Sequence, residues 1–304
     1  MPAARRSPAA PRPRRKRAVR PKGARRDRAQ RRSSSGNWTR TALLLLLVLL
    51  FGPGLFWLTL PSVEPLRRAF PPSTALIDAR AAEARAHGRA ARRTQRTVPL
   101  RAISPWLRDA VVNSEDARFH LHHGVDLTEL RAALEKGLEE GKLGRGASTL
   151  TQQLAKNLWL GEERSLWRKA REVVLAQRLE SLGKERILEL YLNVVEWGEG
   201  VYGAEAAART WFGVPAAELS PEQAAVLAAM LPAPRKRSPR RPSARLKARA
   251  AQVLELYGVY QQLSAPELAV ARERLRVLLD VRGAGLPHRL PPAPAEPAGA
   301  PVRP

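Results

Sequence analysis

An uncharged run of 19 residues, Ala42 to Leu60 (ALLLLLVLLFGPGLFWLTL), limits this chain more than any other stretch. A helix of that length matches a hydrocarbon core of about 30 Å, and helical backbone is one of the few forms that lipid tolerates, so the run reads as a membrane helix. Gly52-Pro53-Gly54 is a kink that such a helix accepts. Before it, residues 1–40 hold fifteen Lys or Arg against Asp27 alone, more than half of the +25 net charge of the 304-residue chain. That arm is rich in Pro, Ala and Ser without apolar periodicity, and it reads as disordered. Its charge suits anionic lipid or nucleic acid equally, and the neighbouring membrane run decides for lipid. The positive flank puts the N-terminus in the cytoplasm and everything after Pro61 outside it. A cleaved signal peptide fits less well, because Leu58-Thr59-Leu60-Pro61 offers no small-residue cleavage site. Cysteine is absent, so no disulfide or thiolate metal site exists.

The remainder reads as mainly α. Residues 73–93 are Ala/Arg/Glu-rich and helical by propensity, a juxtamembrane connector whose arginines are placed to meet phospholipid headgroups. Ser104-Pro105 opens a helix that carries Leu107, Val111 and Glu115 at i, i+4 and i+8, so a carboxylate stands on the apolar side. Leu130, Leu134 and Leu138 stripe a helix over 127–143, followed by the glycines 141, 144 and 146. Further helices are expected from Ser148 to Leu158, through Val173, Ala176 and Leu179 to a stop at Gly183, and over 185–193. Ser220-Pro221-Glu222-Gln223 starts another that ends at Pro232, and a last one runs from Pro266 to Leu279. From Arg235 the chain turns basic, and from Leu286 it reads as disordered. No alternating strands or repeats stand out. The implied organisation is a basic arm (1–40), a membrane helix (41–60), a connector (61–94), a helical domain (95–262) and a tail (263–304).

Two stretches carry chemistry. In 114–126, burial of Glu115 against apolar neighbours would raise its pKa and make it a proton acceptor near neutrality, whereas the bland reading turns it outward onto Arg118. His120, His122 and His123 have no recognised ligand spacing such as HExxH, so a metal site is not read there. In 146–172, Thr149 and Gln152 make a capping-box pattern, and Leu150, Leu154 and Leu158 form a buried stripe. Thr149, Gln152, Gln153 and Lys156 then fall on a separate face. Arg164, Arg168, Lys169 and Arg171 follow with Glu172 among them, a surface suited to a multiply charged anion. The bland reading is a solvated face with Glu172 paired to Arg168 or Lys169.

Four sets of residues in fixed order carry a family resemblance. They are Glu115-Asp116 with Phe119, His122, Gly124 and Asp126; Gly146 with Ser148-Thr149, Thr151-Gln152-Gln153 and Lys156-Asn157; Arg164 with Arg168-Lys169 and Glu172; and Ile187-Leu188-Glu189 with Tyr191-Leu192-Asn193. Together with GVYGAEAAARTWFG, and over about residues 95–235, the chain resembles the peptidoglycan glycosyltransferases (glycosyltransferase family 51), in layout the monofunctional type. His120 and Ala233 depart from the usual tyrosine and asparagine. Ser181-Leu182-Gly183-Lys184 fits SxxK by chance, and no KTG accompanies it, so no transpeptidase domain is expected.

The resemblance implies a lysozyme-like helical fold that polymerises lipid II into glycan strands at the outer face of the cytoplasmic (inner) membrane. Glu115 would be the general base. Lys156, Arg164 and Lys169, with Arg168, would steady the departing pyrophosphate, and Glu172 would hold those cations or help bind a divalent ion, Mg or Mn, with no cofactor required. Ser148, Gln152 and Gln153 would position sugar or phosphate oxygens. The implied partners are lipid II, the growing glycan strand, the membrane and other cell-wall synthesis proteins, not nucleic acid. Two other readings stay open: a lytic transglycosylase or lysozyme-like hydrolase, which needs no such cation set, and a non-catalytic scaffold of wall assembly.

Overall fold

The computed structural model describes residues 27–139, 148–161 and 165–280. Residues 1–26 of the basic arm, the loop glycines 141, 144 and 146, Arg164 and the stretch from Leu286 therefore lie outside the described residues. The chain divides into two units, 1–60 and 61–304. In the first, helix α1 (Asp27–Leu58) runs unbroken through Gly52-Pro53-Gly54, and Trp38–Leu58 is long and apolar enough to cross a membrane. It begins inside the arm expected to be disordered. Arg, Ala and Gln favour helix, and a helix already nucleated by its apolar part extends at little cost.

The second unit is mainly helical: α2 (Ala75–Ala86), α3 (Pro105–Glu115), α4 (Leu127–Glu139), α5 (Leu150–Ala155), α6 (Leu166–Leu179), α7 (Lys184–Val194), α8 (Ala204–Phe212), α9 (Pro221–Met230), α10 (Ala244–Val259) and α11 (Ala265–Asp280). Three short strands join them, β1 (Thr94–Gln95), β2 (Glu196–Gly198) and β3 (Val201–Tyr202), with β3 in the centre, parallel to β1 and antiparallel to β2. Pieces of two or three residues have no alternation to read, which is why the sequence shows no strand. Two arginines of the connector have partners within the domain. Arg80 pairs with Glu196 at 3.0 Å, and Arg93 donates to the Pro72 carbonyl at 2.6 Å.

Helix α9 is the centre of one layer. Its run Ala224–Met230 is wholly buried, and the alanines let α3, α10 and α11 approach closely. The basic segment after Arg235 thus leads back into the core: Leu246, Ala250, Leu254 and Tyr257 of α10 are buried, and the Tyr257 hydroxyl donates to the Trp106 carbonyl at 2.7 Å. In a second layer α5 packs on α6 and α7, with Leu150, Leu154 and Leu158 buried as the stripe requires. The expected helix to Leu158 is shorter as α-helix; at Lys156 it loosens into a π-helical turn, Lys156–Leu160. Such wide turns occur often at functional sites.

Helix α4 departs from expectation in its packing. Leu130, Leu134 and Leu138 are 38%, 51% and 84% exposed, so the apolar stripe faces outward instead of into the core. Periodicity tells that three leucines share a face but not whether anything covers it.

Residues of the last shared motif act as fasteners. Asn193 donates to the carbonyls of Val98 (3.0 Å) and Glu189 (2.7 Å) and accepts from the Val98 N–H. Glu189 accepts from the Leu100 N–H at 2.8 Å. Together they pin the chain that enters α3. Gly124 has φ of +80°, and a Cβ there would lie 2.9 Å from the backbone carbon of Ala176 in α6. Its carbonyl accepts from the Thr149 hydroxyl at 2.6 Å. Gly124→Ala is expected to lose about 1–2 kcal/mol to left-handed backbone strain and about 1–3 kcal/mol more to overpacking. Chemical denaturation checks this, and unchanged stability would contradict the tight seat.

Candidate active site

Glu115 ends α3, whose Leu107 and Val111 are fully buried, so the i, i+4, i+8 spacing does carry the carboxylate inward. The outward reading with Arg118 is not found, since Arg118 pairs with Asp126 at 2.8 Å. Burial pushes the Glu115 pKa up; a hydrogen bond from Gln153 and the charges of Arg249 and Arg237 pull it back, and Asp116 pushes it up further. Gln153 Nε2 donates to Glu115 Oε2 at 3.4 Å, while its Oε1 accepts from the Tyr191 hydroxyl at 2.9 Å. Tyr191 thereby decides which end of the amide faces the acid. Helices α7, α5 and α3 are joined through this chain.

Asp116, the next residue, is a structural acid. Both its oxygens lie 3.0 Å from His122 Nε2, and one accepts from the Leu150 N–H at 2.8 Å, at the start of α5 where free donors and the helix dipole favour an anion. His122 is thus spent on Asp116. No group of three or more His, Cys, Asp or Glu able to hold a metal occurs among the described residues.

Thr149 and Gln152 form the capping box in full: the Thr149 hydroxyl accepts from the Gln152 N–H at 3.1 Å, and Gln152 Oε1 accepts from the Thr149 N–H at 3.1 Å. Gln152 is buried. This corrects the expectation that it shares an open polar face with Gln153 and Lys156, because its amide oxygen is committed to its own helix. Gln153 and Lys156 are half-buried, with Lys156 opening the π-helical turn.

Glu172 is buried on α6, and one oxygen takes Arg168 Nη1 at 2.5 Å, the other Lys169 Nζ at 2.5 Å. The i−4 and i−3 pairs of the bland reading are present, but not on a solvated face. Both its oxygens hold cations, and among the described residues no other carboxylate is in contact with it. Lys169 Nζ also donates to Ser148 Oγ at 3.0 Å. Ser148 lines a cavity of about 240 Å³ together with Ser114, Glu115, Asp116, Arg118 and Thr149. Through Ser148 the two glutamates belong to one site. A larger cavity of about 440 Å³ lies at Arg80, Glu83, Glu196 and Arg235, but there the charges neutralise each other, Arg80 with Glu196 and Arg235 with Glu83.

Arg249 and Arg237 had no place in the sequence reading of the site. Arg249 Nη2 lies 4.0 Å from Glu115 Oε1 and comes from α10, in a basic stretch whose composition gives no hint of where it folds.

The helical domain thus seats a desolvated glutamate in a cavity it shares with Ser148, which the Lys169 of the Glu172 cluster holds. A family model described as Transglycosylase matches residues 82–257, and the chain belongs to that family. It is 43% identical over 216 residues to the biosynthetic peptidoglycan transglycosylase of Nitrosomonas eutropha, covering 71% of this chain and 87% of that one. It is 52% identical over 160 residues to that of Rhodospirillum centenum (52% and 69% covered), and 58% identical over 133 residues to that of Alcanivorax borkumensis (43% and 54% covered).

Proposed function

We propose that this chain is a membrane-anchored peptidoglycan glycosyltransferase of lysozyme-like helical fold that polymerises lipid II into glycan strands, with Glu115 as general base. Glu115 takes the proton of the acceptor's N-acetylglucosamine 4-hydroxyl as that oxygen bonds to C1 of the donor's N-acetylmuramic acid. The bond from C1 to the pyrophosphate breaks, and undecaprenyl pyrophosphate leaves with the electron pair. Lys169, Arg168 and Lys156, with Arg164, meet the charge that builds on the phosphates, an effect worth several kcal/mol where water is excluded. Glu172 holds Arg168 and Lys169 in position, while Ser148 and Gln153 orient oxygens of the substrate. Gln152 acts from behind, by starting the helix that carries Gln153.

The observation that carries this reading is the join between the two acids: Glu115 and Ser148 line one cavity, and Ser148 is held by the lysine that Glu172 holds. A hydrolase would need the acid but not the cations, and the relatives are biosynthetic enzymes. Purified protein given lipid II is expected to yield long glycan. Shortening of added glycan would point to the hydrolase, and no turnover to the scaffold.

A lipid substrate also makes sense of the exposed leucines of α4 and of α1, since enzyme and substrate then meet at one surface. The organisation from arm to tail, the inner-membrane location and the cytoplasmic N-terminus rest on the apolar run and its basic flank. A C-terminal reporter active only outside the cytoplasm is expected to work and one active only inside to be silent; the opposite pattern would reverse the orientation. Other cell-wall synthesis proteins are proposed partners on the family reading alone.

A further inference from the structure

Glu115 is the last residue of α3, a poor place for a negative charge. The final carbonyls of a helix have no intrahelical partner, and the dipole is negative at that end. Burial adds to the difficulty. Arg249 answers both problems from α10. Its Nη2 donates to the Ser114 carbonyl at 3.0 Å and stands 4.0 Å from Glu115 Oε1. Its register is held by the rest of the same layer: the Tyr257 hydroxyl bonds the Trp106 carbonyl at 2.7 Å, and Gln262 Nε2 bonds Asp109 at 2.8 Å. Helix α10 and the turn after it therefore lie along α3 from its first turn to its last.

We infer that Arg249 is a positioning residue for Glu115, closing the end of α3 and placing a fixed positive charge beside the carboxylate. The inference rests on the reading of Glu115 as the base. Among the described residues, the groups that act on Glu115 are Gln153 from α5, Tyr191 from α7, Arg249 from α10, Arg237 from the segment after α9, and its own neighbour Asp116, while Arg118, Asp126 and Glu129 line the same cavity with Arg118 paired to Asp126. Asp116 opposes ionisation, and Tyr191 reaches Glu115 only through Gln153. Arg237 donates to the Ala229 carbonyl at 2.6 Å and acts on Glu115 by charge alone. Arg249 is the one cation in this set within 4.0 Å of the acid. Burial tends to keep this base protonated; the hydrogen bond from Gln153 and then the guanidinium of a distant helix work against that.

The test measures kcat and KM on lipid II across pH for full-length wild type, Glu115→Gln, Arg249→Gln and Arg249→Lys, with thermal melts as a check of folding. Arg249→Gln removes the charge while leaving an amide to serve the Ser114 carbonyl. Without the cation the carboxyl holds its proton to higher pH, so the acidic limb of kcat is expected to move up by about one pH unit. At a pH below the displaced limb kcat falls about tenfold, at higher pH it recovers, and KM changes little. Arg249→Lys keeps a charge without the planar fork and is expected to move the limb upward by a smaller, measurable amount. A limb that stays in place in Arg249→Gln, whether the rate is unchanged or lowered evenly at all pH, overturns the inference. Should that variant not fold, an unmoved limb in Arg249→Lys overturns it. Glu115→Gln separates the two levels: near-normal turnover there removes the base itself, whereas an inactive Glu115→Gln with an unmoved limb in the arginine variants removes only the role of Arg249.

Discussion

Glu115→Gln is expected to lower kcat at least about 10²-fold while lipid II still binds, because the amide keeps the shape of the carboxylate and cannot take a proton. Residual activity should lose the acidic limb of its pH profile, since that limb reports protonation of Glu115. Stability supplies the control. Burial raises the Glu115 pKa on folding, so the folded state holds the proton more tightly than the unfolded chain does. The stability linked to it is full below the ordinary carboxylate range and is lost as pH rises through the raised value. A neutral glutamine has no such loss. The variant should therefore melt at or above the wild-type temperature near neutral pH, and the gap should close on acidification. Low activity with a lowered melting temperature would mean damage to the fold instead of loss of a base, and near-normal turnover would remove Glu115 from that role.

Glu172→Gln is expected to cost about 10²-fold in kcat/KM, roughly 2.7 kcal/mol, with both kcat and KM affected. Its carboxylate is the shared partner of Arg168 and Lys169, and the amide leaves one neutral acceptor and no negative charge between the two cations. Breaking a fully buried pair costs about 3–5 kcal/mol. The loss of folding stability in this variant should lie below that range, because the Lys169 side chain is 43% exposed and solvent screens part of its charge. Lys169 also loses its hold on Ser148, which is how the damage reaches the Glu115 cavity. The acidic limb should stay where it is. A displaced limb in Glu172→Gln would mean that this acid, and not Glu115, titrates in the reaction.

Much of this site could be read along the chain because its parts are local. The placing of Glu115 inward follows from three positions on one helical face, and the Glu172 pairs follow from i−3 and i−4 spacing, which any α-helix brings together. The capping box at Thr149 and Gln152 is likewise a short-range pattern. Whether Gln152 stays on the face it shares with Gln153 or turns its amide oxygen back to its own N-cap is something spacing alone does not choose, and the fold takes the second. The leucines of α4 show the same limit. A stripe is a property of the helix, whereas its burial is a property of what lies opposite.

By itself, then, the sequence determined the membrane-length helix, most helix positions, the inward acid of α3 and the cation cluster around Glu172, all consequences of charge, hydropathy and helical period within a few turns. Tertiary structure alone decided that the basic segment beyond Arg235 returns to the core, that Tyr191 orients Gln153, and that Ser148 joins the two acids. It also brought Arg249 to the end of α3, 135 residues from the Ser114 carbonyl it meets. The reason is physical: α10 is placed by burying Leu246, Leu254 and Tyr257 against α9 and α3, and the arginine travels with that packing, with nothing in its own neighbourhood to say where it ends.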